Sequence, residues 1–319
     1  MHMADALISS SVGVTMGVVS AGLLAYSCKK LKTELTEDKI PLMGVMGAFV
    51  FAAQMINFSI PGTGSSGHLG GGLLLAALLG PYAGFVTIAS ILLVQALFFA
   101  DGGLLALGCN IFNLAFYPCF VAYPLIYKPL VRAYTPTRVL LASVIAVVIG
   151  LQLGSFSVVL ETLLSGKTQL PFDSFVILMQ PVHLAIGLVE GFVTAGVLQY
   201  ILKVKPELLN NQANGNTSMK KLVITLGIVA IIIAGGLSLV ASEMPDGLEW
   251  SIEKLTAGSE LVGESSLHTM LQNIQEKISI FPDYNFSEPQ ASGTSIAGIA
   301  GAGIAFIVLL FAGRIFKNI

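Results

Sequence analysis

Apolar residues come along this chain in long blocks separated by short clusters of Lys, Gly, Pro and Asp. Blocks of membrane-spanning length cover residues 5–27, 40–58, 81–100, 104–127, 137–162, 174–202, 222–241 and 295–313, and a shorter one covers 68–80. An α-helix needs about 20 apolar residues to cross the roughly 30 Å hydrocarbon core of a bilayer, so each long block predicts one crossing. The short block ends at Pro81, where a continuing helix would break. Counted as a crossing, it makes nine. The predicted fold is an all-α integral membrane protein. A seven-helix bundle over 1–205 is followed by a polar cytoplasmic linker at 206–220 and a two-helix C-terminal hairpin at 221–319 with a large extracytoplasmic loop.

Composition and charge agree with that reading. The chain is 55% hydrophobic and only 11% charged, which places it among membrane proteins. With nine crossings and the N-terminus outside, thirteen of the sixteen Lys and Arg fall on the cytoplasmic side, and only Lys167, Lys254 and Lys277 fall outside. Eight crossings would scramble this pattern after residue 80. The C-terminus is then cytoplasmic, while Met1, the loop around His68 and residues 242–294 face out. The first block is expected to stay in place as a span, because His2 and Asp5 stand where a signal peptide has basic residues. Cys28, Cys109 and Cys119 have no metal-ligand spacing and read as packing residues.

Met1-His2 carries the sharpest chemistry. A free amine at Met1 and a deprotonated amide nitrogen at His2 close a five-membered chelate, and that amide with Nδ1 of His2 closes a six-membered one. His68, in Gly62-Thr-Gly-Ser-Ser-Gly-His68-Leu-Gly-Gly71, would supply a fourth nitrogen. A tetragonal N4 set suits Ni(II) or Cu(II) better than zinc, and its binding releases protons. The plainer alternative is that His2 is accidental and the glycine-rich stretch an ordinary loop. Irregular backbone at membrane depth is tolerated where it is buried in protein or lines a polar cavity. Gln54, Asn57, Ser65 and Ser66 are the candidate partners there, with Asp5, Asp101, Asn110 and Asn113 as further cavity-lining candidates.

Other features carry weaker readings. His183 and Glu190 share a helix face two turns apart, with Glu161 a possible packing partner, and the structural reading is favoured. His268 reads as a solvated histidine. The outer loop holds nine of the eighteen acidic residues, among them Glu243, Asp246, Glu249, Glu253 and Glu260; it either concentrates cations or is simply solvated. Part of Leu248–Lys277 has helical spacing, through Leu255, Leu261, Leu267, Leu271 and Ile274. Gly44, Ala48 and Ala52 form a small-residue stripe that either meets a partner helix or packs within the chain. Glu161–Thr168 fails the phosphate-loop pattern, which needs glycine where Glu161 stands, and no hydrolase motif appears. The chain is therefore expected to be no enzyme, and uphill movement would need a coupled ion or a separate ATPase.

Met1-His-Met-Ala-Asp5, GTGSSGHLGGG ending at Gly72, Gly80-Pro-Tyr82, Gln95-Ala-Leu-Phe-Phe-Ala-Asp-Gly-Gly103 and Ala106-Leu-Gly-Cys-Asn110 together resemble the NikM/CbiM family. Its members are substrate-binding S components of energy-coupling-factor transporters for nickel or cobalt. The hairpin, through Pro245-Asp-Gly-Leu-Glu-Trp250, resembles the NikN/CbiN small subunit. The resemblance implies metal held by the amine of Met1, the backbone nitrogen and side chain of His2, and His68. It also implies a transmembrane T subunit and two cytoplasmic ATPases as partners, and no organic cofactor. Met3-Ala4 departs from the family's usual Ile-Pro or Ile-Met. Ni(II) is favoured over Co(II), with a metal sensor or a secondary transporter as the alternatives; no inverted repeat supports the latter.

Overall fold

A computed structural model describes residues 1–37, 39–132, 134–210, 218–259, 261–263, 265–284 and 290–318. Among them, seven helices are long and apolar enough to cross a membrane. In chain order the helices are α1 (Ser10–Glu34), α2 (Lys39–Gln54), α3 (Gly72–Leu79), α4 (Pro81–Phe98), α5 (Leu107–Ile111), a π-helix (Phe112–Tyr127), α6 (Lys128–Leu130), α7 (Pro136–Leu164) and α8 (Phe172–Val204). The C-terminal part adds α9 (Met219–Gly235), α10 (Gly247–Thr256), α11 (Ser266–Ile278) and α12 (Gln290–Asn318). An antiparallel pair, β1 (Phe58–Ile60) and β2 (Ser65–Gly67), is the one sheet among the described residues.

The short apolar block is not a spanning helix. At 1.5 Å per residue, the eight residues of α3 cover only about 12 Å. Extended chain from Ser65 to Gly71 covers the rest of the passage, enclosed by α8 and the hairpin. Gly67 lies against Ile186 of α8, and Gly72 lies against Pro118 and the Leu114 carbonyl of the π-helix, too close in both cases for a Cβ. The passage still arrives at the opposite end of the bundle: the Tyr82 ring lies 5.7 Å from Tyr26, whose face Lys30 covers.

The small-residue stripe is used internally. α9 and α12 enclose α2, so Gly44 faces Leu310 and Phe306, Gly47 faces Leu309, and Val45 meets Gly227. Ala48 and Ala52 are buried with the rest of the helix from Leu42 onward. Gly44, Ala48 and Ala52 are therefore packed within this chain, the second of the two readings that the stripe allowed. The two helices of the C-terminal hairpin cover the second helix of the bundle, and the two regions share one core.

Between α9 and α12 the chain folds back over the bundle. Its helical spacing resolves into α10 and α11, separated by a break that includes Ala257 at φ 51°; Glu260 lies outside the described residues. Asp246 caps α10, accepting from the backbone N–H groups of Leu248 and Glu249, while the Glu249 carboxylate accepts from the Asp246 N–H. His268 on α11 is buried, not solvated. Its Nε2 lies 3.0 Å from the Ile8 carbonyl and its Nδ1 2.6 Å from Ser265 Oγ, so it ties α11 to the N-terminal segment. The three cysteines are free; Cys109 and Cys119 are buried.

Candidate metal centre

The first residues are extended and threaded into the bundle. Met3 donates its N–H to Asn110 Oδ1 at 2.7 Å, and its carbonyl accepts from Asn110 Nδ2 at 3.1 Å and from the Gly103 N–H at 2.9 Å. Asp5 Oδ1 accepts from the Ala106 N–H at 2.9 Å. A Cβ on Gly103 would overlap the Asp5 carboxylate, so this strand-like pairing requires glycine there. Met1 and Met3 are both buried.

The thread ends beside His68. The α-amine of Met1 lies 3.0 Å from His68 Nε2. His68 Nδ1 faces the Leu69 carbonyl at 3.2 Å, which can only accept, so Nδ1 carries the hydrogen and Nε2 presents a lone pair to the amine. The His2 and His68 rings stack, 5.0 Å between centroids and 9° between planes. His2 Nδ1 points to Asp101 Oδ1 at 3.1 Å. The predicted set is therefore gathered but not closed into a plane, because Asp101 holds the His2 nitrogen that the chelate needs.

The loop is set by buried polar contacts. Glu190, buried on α8, accepts from the Gly70 and Gly71 N–H groups at 2.8 and 2.9 Å. Gly71 has φ +77°, which suits glycine. Gln54 Nε2 donates to the Gly70 carbonyl at 2.9 Å and its Oε1 accepts from Gln95. Glu161 pairs with Asn113 Nδ2 at 2.7 Å and so partners neither His183 nor Glu190. Ser65 bonds Thr63, and Ser66 donates to the Met244 and Pro245 carbonyls. These two serines shape the turn and dock the hairpin, and they do not face the amine. The Asn57 carbonyl accepts from the Ser242 N–H, and its side chain lines the vestibule.

One residue of this centre was legible only as part of an acidic loop. Asp246 Oδ2 lies 2.5 Å from the Met1 amine and 3.9 Å from His68 Nε2. The Ser66–Asp246 bridge sets it there: the Ser66 N–H donates to Pro245 at 2.8 Å. An open vestibule of about 930 Å³ reaches the cluster, lined by His2, His68, Asp101, Glu243, Asp246 and Glu249 among others. Among the described residues, no three His, Cys, Asp or Glu side chains form a metal-holding group.

Burial, and after it the positive amine, lowers His2 to a pKa of about 3, so its imidazole is neutral near pH 7. The His2–Asp101 contact is accordingly a neutral N–H donating to a carboxylate. Burial would raise Asp246, but the adjacent ammonium and the hydrogen bonds from it and from the backbone outweigh it and hold the carboxyl well below its ordinary range. Asp101 is pushed up, by burial first, against the hydrogen bond from Tyr284.

The description of CbiM, the cobalt uptake substrate-specific transmembrane region, matches residues 2–208. The chain belongs to the CbiM family. A PDGLE domain matches residues 220–318. The CbiM region thus supplies His2, His68 and Asp101, and the PDGLE domain supplies Asp246 and Tyr284. An Archaeoglobus fulgidus protein with the provisional name of fused nickel transport protein NikMN is 33% identical over 95% of both chains. The fused nickel transport protein NikMN of Rhodobacter capsulatus is 30% identical over 81% of this chain and 77% of its own. A crystal structure of a truncated transition metal transporter is 30% identical, with a TM-score of 0.56, over 63% of this chain and 98% of that one. The CbiM family is one of metal transport, not of enzymes, and this member is a multi-pass membrane protein.

Proposed function

We propose that the chain captures Ni(II) from outside the cell and delivers it across the cytoplasmic membrane as the S component of an energy-coupling-factor transporter, working with a T subunit and two ATPases. One observation carries the reading: a buried amine lies 3.0 Å from an imidazole lone pair, with a second neutral imidazole stacked alongside. Metal–nitrogen bonds of roughly 2.0 Å place neighbouring ligand nitrogens about 2.9 Å apart, so Met1 and His68 already stand at the separation a shared metal requires. His2 completes the set when its ring turns from Asp101 to the metal. The four nitrogens favour Ni(II) over zinc, and copper is excluded by availability, not by affinity. The names of the Archaeoglobus and Rhodobacter relatives agree with nickel, while the description of the CbiM family keeps cobalt as the second reading.

The lysine pattern supports an orientation with the vestibule outside and both the linker and the C-terminus in the cytoplasm. Calorimetry and metal analysis on protein that starts at Met1, compared with protein carrying one residue before Met1, test the chelate. Nickel binding should vanish in the extended form; equal binding by both would overturn the assignment. Uptake measured with and without coexpressed T and ATPase subunits separates a transporter component from a sensor.

A further inference from the structure

His183 of α8 has the same donor arrangement as His68. Its Nδ1 lies 2.7 Å from the Met179 carbonyl, one turn back on the helix. A carbonyl only accepts, so Nδ1 carries the hydrogen and Nε2 of the neutral ring carries the lone pair. A ligating histidine typically donates its other N–H in just this way, fixing the tautomer and aiming the free nitrogen. Here the aimed nitrogen has no hydrogen-bond partner, although the residue is 1% exposed. His183 lines a cavity of about 10 Å³ whose wall also includes Met1, His68 and Asp246, room for roughly one water-sized particle. Gly247 covers the ring from the hairpin side: a Cβ there would stand 3.3 Å from His183 Cε1. A second small cavity, bounded by Asn113, Val147, Gly150 and Glu190, shares Gly70, Leu114 and Leu151 with the first and continues from it along α7.

A buried imidazole with an unused lone pair is costly unless something uses it. A planar four-nitrogen centre offers such a use, because it exchanges ligands by first accepting a donor at a fifth position. We propose that His183 Nε2 is a fifth nitrogen ligand of the transported metal, bound at the cavity that Met1, His68 and Asp246 also line. This rests on the reading of Met1, His2 and His68 as ligands and goes beyond it. Through His183, the metal gains a contact on α8 at the start of the row of cavities, and the planar set is loosened for release.

X-ray absorption on the full-length, Ni(II)-loaded protein counts the imidazoles at the metal. Three are expected in the wild-type chain and two in His183→Gln, which should still bind one nickel through the remaining four nitrogens. Two imidazoles in the wild-type chain overturn the proposal, whatever the variant does, and so the test does not depend on the variant folding. The same measurement on protein with one residue before Met1 separates the two readings. Undiminished binding with three imidazoles in that form would refute the terminal chelate and leave His183 as a ligand.

Discussion

The α-amine of Met1 and the carboxylate of Asp246 meet at 2.5 Å, 245 residues apart in sequence and from opposite ends of the fusion. Through this pair the PDGLE domain reaches the candidate metal centre of the CbiM region. The pair also balances charge across metal binding. Before binding, the amine carries one positive charge; with Ni(II) bound to a deprotonated amide and a neutral amine, the net charge is again one. Asp246 neutralises both states. Replacing Asp246 with Asn keeps an N-cap for α10 but removes that balance from a buried pair. Thermal unfolding should show a loss on the order of 3 kcal/mol, while nickel affinity moves by less than about tenfold, or 1.4 kcal/mol. A much larger loss of affinity would make Asp246 a ligand instead of a counter-ion.

Acid should weaken nickel binding through two protons, not four. His2 has a pKa lowered to about 3, and His68 already presents a lone pair to the ammonium, so neither imidazole has a proton to release between pH 5 and 7; the metal displaces one proton from the ammonium and one from the His2 amide. Two released protons give about a hundredfold loss of affinity per pH unit of acidification. Calorimetry in buffers of different ionisation enthalpy counts the protons, and a count of three or four in this range would contradict the neutral imidazoles. The sign for stability is the same. The unfolded chain protonates His2 near pH 6.5 and the folded one does not, so folding weakens as the pH falls from about 6.5 toward 3.

Glu190 is expected to influence nickel binding only through the loop. Its carboxylate holds the Gly70 and Gly71 N–H groups, and hydrogen bonds to a charged acceptor contribute about 1.5–3 kcal/mol each. Glu190→Gln retains one acceptor oxygen and turns an NH2 toward the other N–H. Nickel affinity should fall by about tenfold, with the proton count unchanged. An unaltered affinity would mean that His68 is positioned without the latch.

Gly103→Ala should abolish binding by a route that involves no ligand. The added methyl would occupy the space of the Asp5 carboxylate, forcing the N-terminal thread off Asn110 and carrying the amine away from His68. Gly22→Ala, on α1 where a Cβ meets nothing within 4 Å, is the control and should leave binding intact. Nickel titration of the two variants decides the point; binding by both would show that the thread is not what places the amine.

The apolar blocks made the long crossings legible, and chelate chemistry together with the family resemblance singled out Met1, His2 and His68, whose amine and rings the structure brings together. What stayed hidden depended on contacts distant in sequence. The block at 68–80 is hydrophobic whether it is helical or extended, and only packing of Gly67 and Gly72 against α8 and the π-helix makes half of it loop. The stripe on α2 shows that some helix lies close without showing that it is α12. Asp246 looked like any other charge in an acidic segment until Ser66 paired with it. His268 looked solvated because nothing in its neighbours announces the Ile8 carbonyl. Helical periodicity reports which face is buried, but not by what.

Removal of residues 206–319 tests how far the two regions depend on each other. The cut would uncover α2, buried from Leu42 to Gln54 mainly by α9 and α12, and would strip Asp246 from the amine and Gly247 from His183. Lipid can replace apolar helix contacts at little cost, because association of helices in a bilayer has no hydrophobic drive. It cannot replace a carboxylate facing a buried ammonium. The truncated chain should therefore insert in the membrane but bind nickel more weakly. Residues 218–319 supplied as a separate chain should restore binding, and the same piece carrying Asp246→Ala should restore it less. Uptake and calorimetry on the three combinations check this; full activity of the truncated chain alone would leave the Met1–Asp246 pair without a role in transport.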